Sequence, residues 1–490
     1  MRLERRRGRG RFAPQITGLG LLALAALTGA YAVAAALMAE PWHGFALTTV
    51  AAGAVGAVLV RFGSTRTEPS RRETLIAVLA LWAAVPLFGS IPYVVDGGMP
   101  WFDAVFESTS GFTATGATML TDFGAFGNAL FLYRAMSQWI GGIGIIVLFI
   151  AVFPQLAIAG RQLFAAELPG PSEERLTPRL RNTAGAVLLV YLGLSAAAFV
   201  AYLATGIGWL DSAAHAFTTV AAGGFSPEER SFAGLGAAAH WVAIVFMAFA
   251  GVNFALQYRA LSGRPRVLAR DPEFRAYLGI VAAAAAAAAW LLWPDHGTDA
   301  VRHGLFNVLS IVTTTGYASL DFGAWEPRQQ AVLLLLMFVG GSAGSAAGGI
   351  KVIRLLVVAK HTGREVRRAL HPRAVLPVRV GGRTVPEEVL RAVTAFLTLY
   401  LASFAALTTT LVLAGSDFVT AFTASIATLG NIGPGLGGVG PMESYAGFPN
   451  GIKALLTFAM YAGRLEVVAV FVLFTSDGWR LPRRRRSARS

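Results

Sequence analysis

Ile311-Val-Thr-Thr-Thr-Gly-Tyr317 (IVTTTGY) lies in a chain that is 55% hydrophobic. Three threonines and a glycine stand together there, with no carboxylate, histidine or cysteine among them. A related string, Phe112–Thr118 (FTATGAT), occurs far upstream. Such strings offer hydroxyl and carbonyl oxygens rather than acids, bases or nucleophiles, and that reading organises the rest of the chain.

The 490 residues have a mean hydropathy of +0.58 and are 14% charged, against roughly 25% in ordinary globular domains. Ten segments are long enough to cross a bilayer, which takes ~20 apolar residues. They lie near 15–38, 44–62, 74–95, 127–153, 182–204, 236–258, 276–293, 329–358, 391–414 and 450–475. The basic N-terminal run MRLERRRGRGRF is not followed by a small-residue cleavage pattern, so the first segment reads as an uncleaved span. The absence of cysteine excludes disulfides, thiolate metal sites and a cysteine nucleophile.

A net charge of +14 can signal nucleic-acid binding, but the distribution argues against it. Residues 1–14, 61–73, 154–182, 259–275, 351–391 and 476–490 hold 35 of the 41 basic residues. All six stretches fall on one side of a ten-span chain, which the positive-inside rule makes cytoplasmic, with both termini inside. The opposite side carries Glu40, Asp96, Asp103, Glu107, Asp122, Asp211, Glu228, Glu229, Asp295, Asp299, Asp321, Glu326, Asp417 and Glu443. Against them stand Arg134, Arg230, Arg302, Arg328 and Lys453. An acidic mouth raises the local concentration of cations.

Four loops on the acidic side share one form: WFDAVFESTSGFTATGA, WLDSAAHAFTTVAAGGF, GTDAVRHGLFNVLSIVTTTGY and GSDFVTAFTASIATLGNIGPG. Each starts with a turn, continues as a short semi-apolar helix and ends in glycine. Asp103, Asp211, Asp299 and Asp417 are candidate N-caps. The spacing of Gly116, Gly224, Gly316 and Gly433 predicts a span–short helix–span module repeated four times, with the first two spans outside it. The expected organisation is a two-span hairpin over 1–70 and repeats over 71–165, 166–262, 263–372 and 373–480. A basic cytoplasmic tail follows over 481–490.

Backbone at membrane depth must be satisfied internally or line a water-filled cavity. A short helix satisfies its own backbone, and the extended Thr/Gly stretch after it leaves carbonyls free. Rings of carbonyls form known ion filters, glycine permits conformations other residues resist, and a helix C-terminus favours a cation. One TTTG string alone is more often a turn or a helix contact. Four in register with the topology reverse those odds.

On SGFTATGAT, VAAGGFS, SIVTTTGYAS and ATLGNIGPGLG, the chain resembles the TrkH/Ktr/HKT superfamily of potassium transporters, the TrkH type most closely, over nearly its whole length. The resemblance implies an all-α polytopic membrane protein of ten spans, with four span–pore helix–span repeats around one pore. It implies a potassium filter of Thr113, Ala114, Thr115 and Gly116; Ala221, Ala222, Gly223 and Gly224; Thr313, Thr314, Thr315 and Gly316; and Gly430, Asn431, Ile432 and Gly433. The second segment has no hydroxyl between Ala221 and Gly224, so carbonyls must do the work there. Potassium is the implied substrate, with no organic cofactor, in the plasma (inner) membrane.

Two further motifs fit. GGSAGSAAGGIK, Gly340–Lys351, interrupts the long eighth segment with Gly340, Gly341, Gly344, Gly348 and Gly349. Each glycine weakens a helix by roughly 1 kcal/mol, which predicts an unwound stretch; close helix packing is the alternative. The spacing of a Walker A loop is not met. In the family this stretch is an intramembrane gating loop. YAGRLEVVAVF places Arg464 near the middle of the last span, at a cost of ~2.5–3.5 kcal/mol by insertion scales. The resemblance implies that Arg464 faces the pore as an electrostatic barrier; a buried interhelical ion pair is the rival. Glu466, two residues on, faces elsewhere.

A membrane enzyme would need a nucleophile, a metal cluster or paired carboxylates. There is no HExxH, and the seven histidines are scattered, so no enzyme is expected. His215 and His303, on short helices, read as packing residues. A secondary transporter coupling potassium to sodium or protons through broken helices stays as the alternative. Voltage alone suffices for uptake, since 100 mV supplies about 2.3 kcal/mol per charge. The resemblance also implies a homodimer and a TrkA-like cytosolic regulatory subunit carrying nucleotide-binding domains. Membrane lipid is a further partner, and no nucleic acid is expected. The basic stretch 351–391 is the candidate docking surface.

Overall fold

The computed structural model describes residues 11–64, 71–151 and 176–474. The start of the N-terminal basic run, the stretch 152–175 with its arginines, and the tail over 481–490 lie outside the described residues.

Most of the described chain is helix. Seven helices are long and apolar enough to cross a membrane: Phe12–Leu37, His43–Phe62, Glu73–Val95, Asn128–Ile146, Ala184–Ala204, Pro272–His296 and Glu387–Leu413. They coincide with the first five, the seventh and the ninth apolar segments. The other three segments are interrupted. Ala237–Ala250 and Phe254–Leu261 meet at 101°, where Asn253 starts the second piece by accepting a hydrogen bond from Leu256 N. The eighth segment is helical over Pro327–Leu336 and Val352–Leu370 and unwound between. The last runs Asn450–Arg464 and Val467–Phe474, broken at Glu466, whose φ is +69°. The glycine run announced only the middle interruption.

The molecule exposes large apolar side chains and buries polar ones among those of its apolar core. Leu37, Val50, Trp290, Leu335 and Leu413 are exposed, while Ser108, Thr109, Thr219, Asn307, Ser310 and Thr428 are buried. Lipid tolerates the first set, and the second must find partners inside the protein. The first two helices pack through glycines: a Cβ on Gly18 would meet Gly56 O at 2.8 Å, and one on Gly56 would meet Gly18 O at 2.9 Å. Small residues allow this approach of backbones in membranes.

The all-α expectation holds, with one short hairpin beside the helices. Arg379–Val380 pairs antiparallel with Arg383–Thr384. Gly381 and Gly382 connect them, both at positive φ, as a two-residue hairpin turn of type I′ requires.

Four short helices, Trp101–Phe112, Trp209–Val220, Asp299–Val312 and Phe418–Leu429, lie among the longer ones. Of the four candidate N-caps, only Asp417 caps, accepting from Thr420 N at 3.0 Å. The helices with Asp103 and Asp211 begin earlier, after Pro100 and Gly208, and Asp299 follows its cap Thr298. The three aspartates instead sit in first turns, where a negative charge still complements the helix dipole.

Candidate functional site

All four short helices end by the same turn. In the first, Thr113 N donates to Thr109 O, Ala114 N to Gly111 O and Thr115 N to Ser110 O. The same pattern holds at 221–223, 313–315 and 430–432. The last bond of each set spans five residues, as in a Schellman motif, whose left-handed position is usually glycine. Here that position holds Ala114, Ala222, Thr314 and Asn431, at φ +49°, +53°, +56° and +53°. Left-handed non-glycine residues are strained by roughly 1–3 kcal/mol and persist only where surroundings enforce them. Two residues further on, Gly116, Gly224, Gly316 and Gly433 have φ of +85°, +82°, +83° and +101°.

These glycines close a ring. A Cβ on Gly116 would collide with Gly223 O, one on Gly224 with Thr315 O, one on Gly316 with Ile432 O, and one on Gly433 with Thr115 O. Each segment presses on the next, and the fourth returns to the first. The structure therefore brings all sixteen expected filter residues together. Among the described residues, the carbonyls of these segments receive hydrogen bonds only at Gly223, from Gln138, and at Gly433, from Tyr445. The rest keep their lone pairs available.

The segments are braced in different ways. Thr113 and Thr115 bond each other at 2.7 Å, and Thr313 and Thr315 at 2.8 Å. Asn431 Nδ2 donates to Thr115 Oγ1 and to Met460 O, tying the fourth segment to the first. Gln138 grips the second segment, donating to Gly223 O at 2.6 Å and accepting from Phe225 N at 3.0 Å. One turn earlier, Arg134 donates to Ser226 O, covers the Phe225 ring and pairs with Glu107 at 2.6 Å. Glu107 in turn accepts from Met119 N, so this chain joins the first two segments. The sequence reading missed Gln138 and Tyr445, and counted Glu107 and Arg134 as mouth charges. Arg134, Ser137 and Gln138 recur at helical spacing inside an apolar span, a signal that could have found them.

The acidic mouth is accordingly weaker than the residue count. Glu107–Arg134 and Asp103–Lys453 are buried pairs, the second at 2.5 Å. Asp96 and Glu40 are spent on backbone N–H groups of Gly44, Phe45, Asn128 and Ala129. Burial, with the charge of Asp211 adding to it, raises the Glu228 carboxyl above its usual range. Hydrogen bonds from Thr420 hold Asp417 below that range. Among the described residues no group of three or more His, Asp or Glu side chains converges as a metal site.

The unwound stretch 340–351 packs against the ring. Gly340, Gly344 and Gly349 have φ of +78°, +75° and +72°. Gly348 N donates to Thr314 Oγ1 at 2.6 Å, and a Cβ there would collide with Gly430 O. Lys351 N to Val339 O and Val352 N to Gly341 O pinch the base of the loop. Ser342 N and Ala346 N bond Gly251 O and Ala250 O, at the break in the bent pair. Glu273 Oε1 accepts from both Ala343 N and Ile353 N.

Arg464 Nη1 donates to Ala346 O of that loop at 3.0 Å. Its Nε and Nη2 are buried without a hydrogen-bond partner among the described residues. Glu466 pairs with Arg354 instead, at 2.7 and 2.8 Å. The structure thus rules against an ion pair for Arg464 among the described residues, the rival account of that residue.

Residues 44–294 and 293–479 match the TrkH family, described as cation transport protein. The chain is 37% identical over 425 residues to the Trk system potassium uptake protein TrkH of Halomonas elongata, a match covering 85% of this chain and 87% of that one. The protein of the same name from Escherichia coli strain K12 is 36% identical over 422 residues, covering 84% and 87%. The crystal structure of the potassium transporter TrkH from Vibrio parahaemolyticus is similar with a TM-score of 0.85 at 33% identity, covering 96% of this chain and 99% of that chain. The chain belongs to the TrkH family of cation transport proteins.

Proposed function

We propose that this chain takes up potassium through the ring formed by residues 113–116, 221–224, 313–316 and 430–433. The cyclic contact of each glycine with the next segment's carbonyl carries the reading. A closed ring of carbonyls, most of them free of hydrogen bonds among the described residues, at the C-termini of four helices suits a dehydrated cation. Relatives named Trk system potassium uptake proteins support potassium as the cargo. The protein sits in the plasma (inner) membrane with the basic stretch 351–391 and both termini cytoplasmic. It works as a homodimer, and that stretch docks a TrkA-like subunit with nucleotide-binding domains.

The test is cation flux into liposomes holding the purified protein under an imposed potassium-independent voltage. Potassium and rubidium flux well above sodium, driven by voltage alone, is the expected result. Equal fluxes of all three ions overturn potassium selectivity. Uptake that requires a sodium or proton gradient favours coupled transport.

In the same reading the loop 340–351 gates the path, and Arg464 is an electrostatic barrier beneath the ring. A buried, unpaired cation repels a passing one by an amount that an effective dielectric near 20 leaves at kcal/mol scale. Arg464→Met, which keeps the volume and removes the charge, is expected to raise potassium flux on the order of tenfold. Unchanged or lower flux in a folded variant removes the barrier role.

A further inference from the structure

The second segment of the ring differs from its neighbours at one position. The residue before the closing glycine is Thr115 in the first segment, Thr315 in the third and Ile432 in the fourth, but Gly223 in the second. Backbone conformation does not demand a glycine there, because Gly223 is not among the residues at positive φ. Space does. A Cβ on Gly223 would run into Oε1, Cδ and Cβ of Gln138. Gln138 is fully buried and comes from the helix Asn128–Ala151. That helix reaches the ring because it carries Gly141 and Gly142: a Cβ on Gly141 would collide with Phe112 O, and one on Gly142 would press on Ala221.

The amide of Gln138 is used at both ends. Its Nε2 donates to Gly223 O and its Oε1 accepts from Phe225 N, on either side of Gly224. In the first and third segments the bracing is internal, by the Thr113–Thr115 and Thr313–Thr315 hydroxyl pairs. Ala221, Ala222 and Gly223 have no hydroxyl with which to do this.

We infer that Gln138 is a positioning residue for cation discrimination, its side chain standing in for the threonine that the first and third segments carry where the second has Gly223. The inference rests on the reading of the ring as the cation path. Gln138 fixes the carbonyl of Gly223, and that carbonyl is the surface against which Gly116 of the first segment closes. Losing the amide frees one wall of the ring, so the ion preference changes before the fold does.

The test uses three variants of the full chain in the liposome assay, beside the parent and Gly316→Ser. Gln138→Met keeps the bulk and removes both hydrogen bonds; the potassium-to-sodium flux ratio is expected to fall by about tenfold. Gly223→Thr alone crowds Gln138 and is expected to lose flux. Gln138→Ala with Gly223→Thr rebuilds a threonine-braced segment in the vacated space and is expected to restore the ratio to within a fewfold of the parent. A residue that served folding alone would lower the flux of both ions together, with an unchanged ratio and no rescue in the double variant. An unchanged ratio in Gln138→Met, or losses in the double variant equal to the product of the singles, overturns the inference. If the parent is selective and Gly316→Ser is not, that failure belongs to the inference alone. If the parent shows no selective flux, the ring as cation path falls, and the inference falls with it.

Discussion

Gly316→Ser is expected to bring the potassium-to-sodium flux ratio close to unity while the protein remains folded. Two independent obstacles meet at this position. The φ of +83° is one that residues with a side chain rarely adopt. A Cβ there would also collide with Ile432 O, with Pro434 Cδ at 2.8 Å. Ile432 belongs to the fourth segment and Pro434 follows directly on it, and that segment is held in place: Ile432 N bonds Ala427 O, and Asn431 is tied to Thr115 and Met460. The serine must therefore push the ring apart or rotate its own peptide. Either response moves carbonyls that, on the proposed reading, substitute for a hydration shell, and discrimination between two alkali ions depends on the spacing or field strength of such carbonyls. Gly224→Ser should behave alike, since its Cβ would meet Thr315 O. Gly433→Ser should be milder, because the nearest carbonyl stands 2.8 Å from the added atom. Gly363→Ser, with nothing within 4 Å and no positive φ, is the control and should leave the ratio unchanged. Potassium preference retained in Gly316→Ser would remove the third segment from the filter.

That expectation starts from a glycine visible in the sequence, and much of the ring was legible in the same way. The glycines could be found because each sits in a string of small and hydroxylated residues after a short apolar helix. The interruption at 340–351 was legible because five glycines leave a helix little to gain. Other features left no local trace. The left-handed residues Ala114, Ala222, Thr314 and Asn431 share a conformation but not one residue type. A strained backbone set by its surroundings has no composition to read. The bends at 251–253 and 465–466 carry a single Gly or none, and hydropathy runs straight through them. Bracing across the ring is invisible for another reason: Asn431 and Thr115 lie 316 positions apart. Charges misled in the opposite direction. Counting Asp103, Glu107, Arg134 and Lys453 as loop residues ignored that polar groups deep in a membrane protein pair with one another, as these four do.

Pairing also separates two neighbours at the break in the last segment, and their variants are expected to move stability in opposite directions. Glu466 is 6% exposed and accepts two hydrogen bonds from Arg354 Nη2, while Arg354 is 5% exposed and lies over the Phe396 ring at 4.0 Å. Glu466→Gln keeps the shape but leaves the Arg354 guanidinium buried without its counter-charge. Breaking one side of a buried pair costs about 3–5 kcal/mol, so the thermal midpoint in detergent should fall on the order of 10 °C. Arg354→Met combined with Glu466→Gln removes the orphaned cation and should recover most of that loss, because a buried pair replaced as a unit is often neutral. Arg464 is the contrary case. It holds one hydrogen bond, to Ala346 O, and two buried donors without partners among the described residues. Arg464→Met therefore removes a desolvated charge that no carboxylate pairs with among the described residues, and the midpoint should stay level or rise while flux increases. On the proposed reading, a fold that retains a cation unpaired among the described residues, two positions from a paired glutamate, keeps it for the path rather than for the structure, as expected of a costly group at a functional site. A large drop in the midpoint of Arg464→Met, matching that of Glu466→Gln, would reassign Arg464 to holding the loop in place.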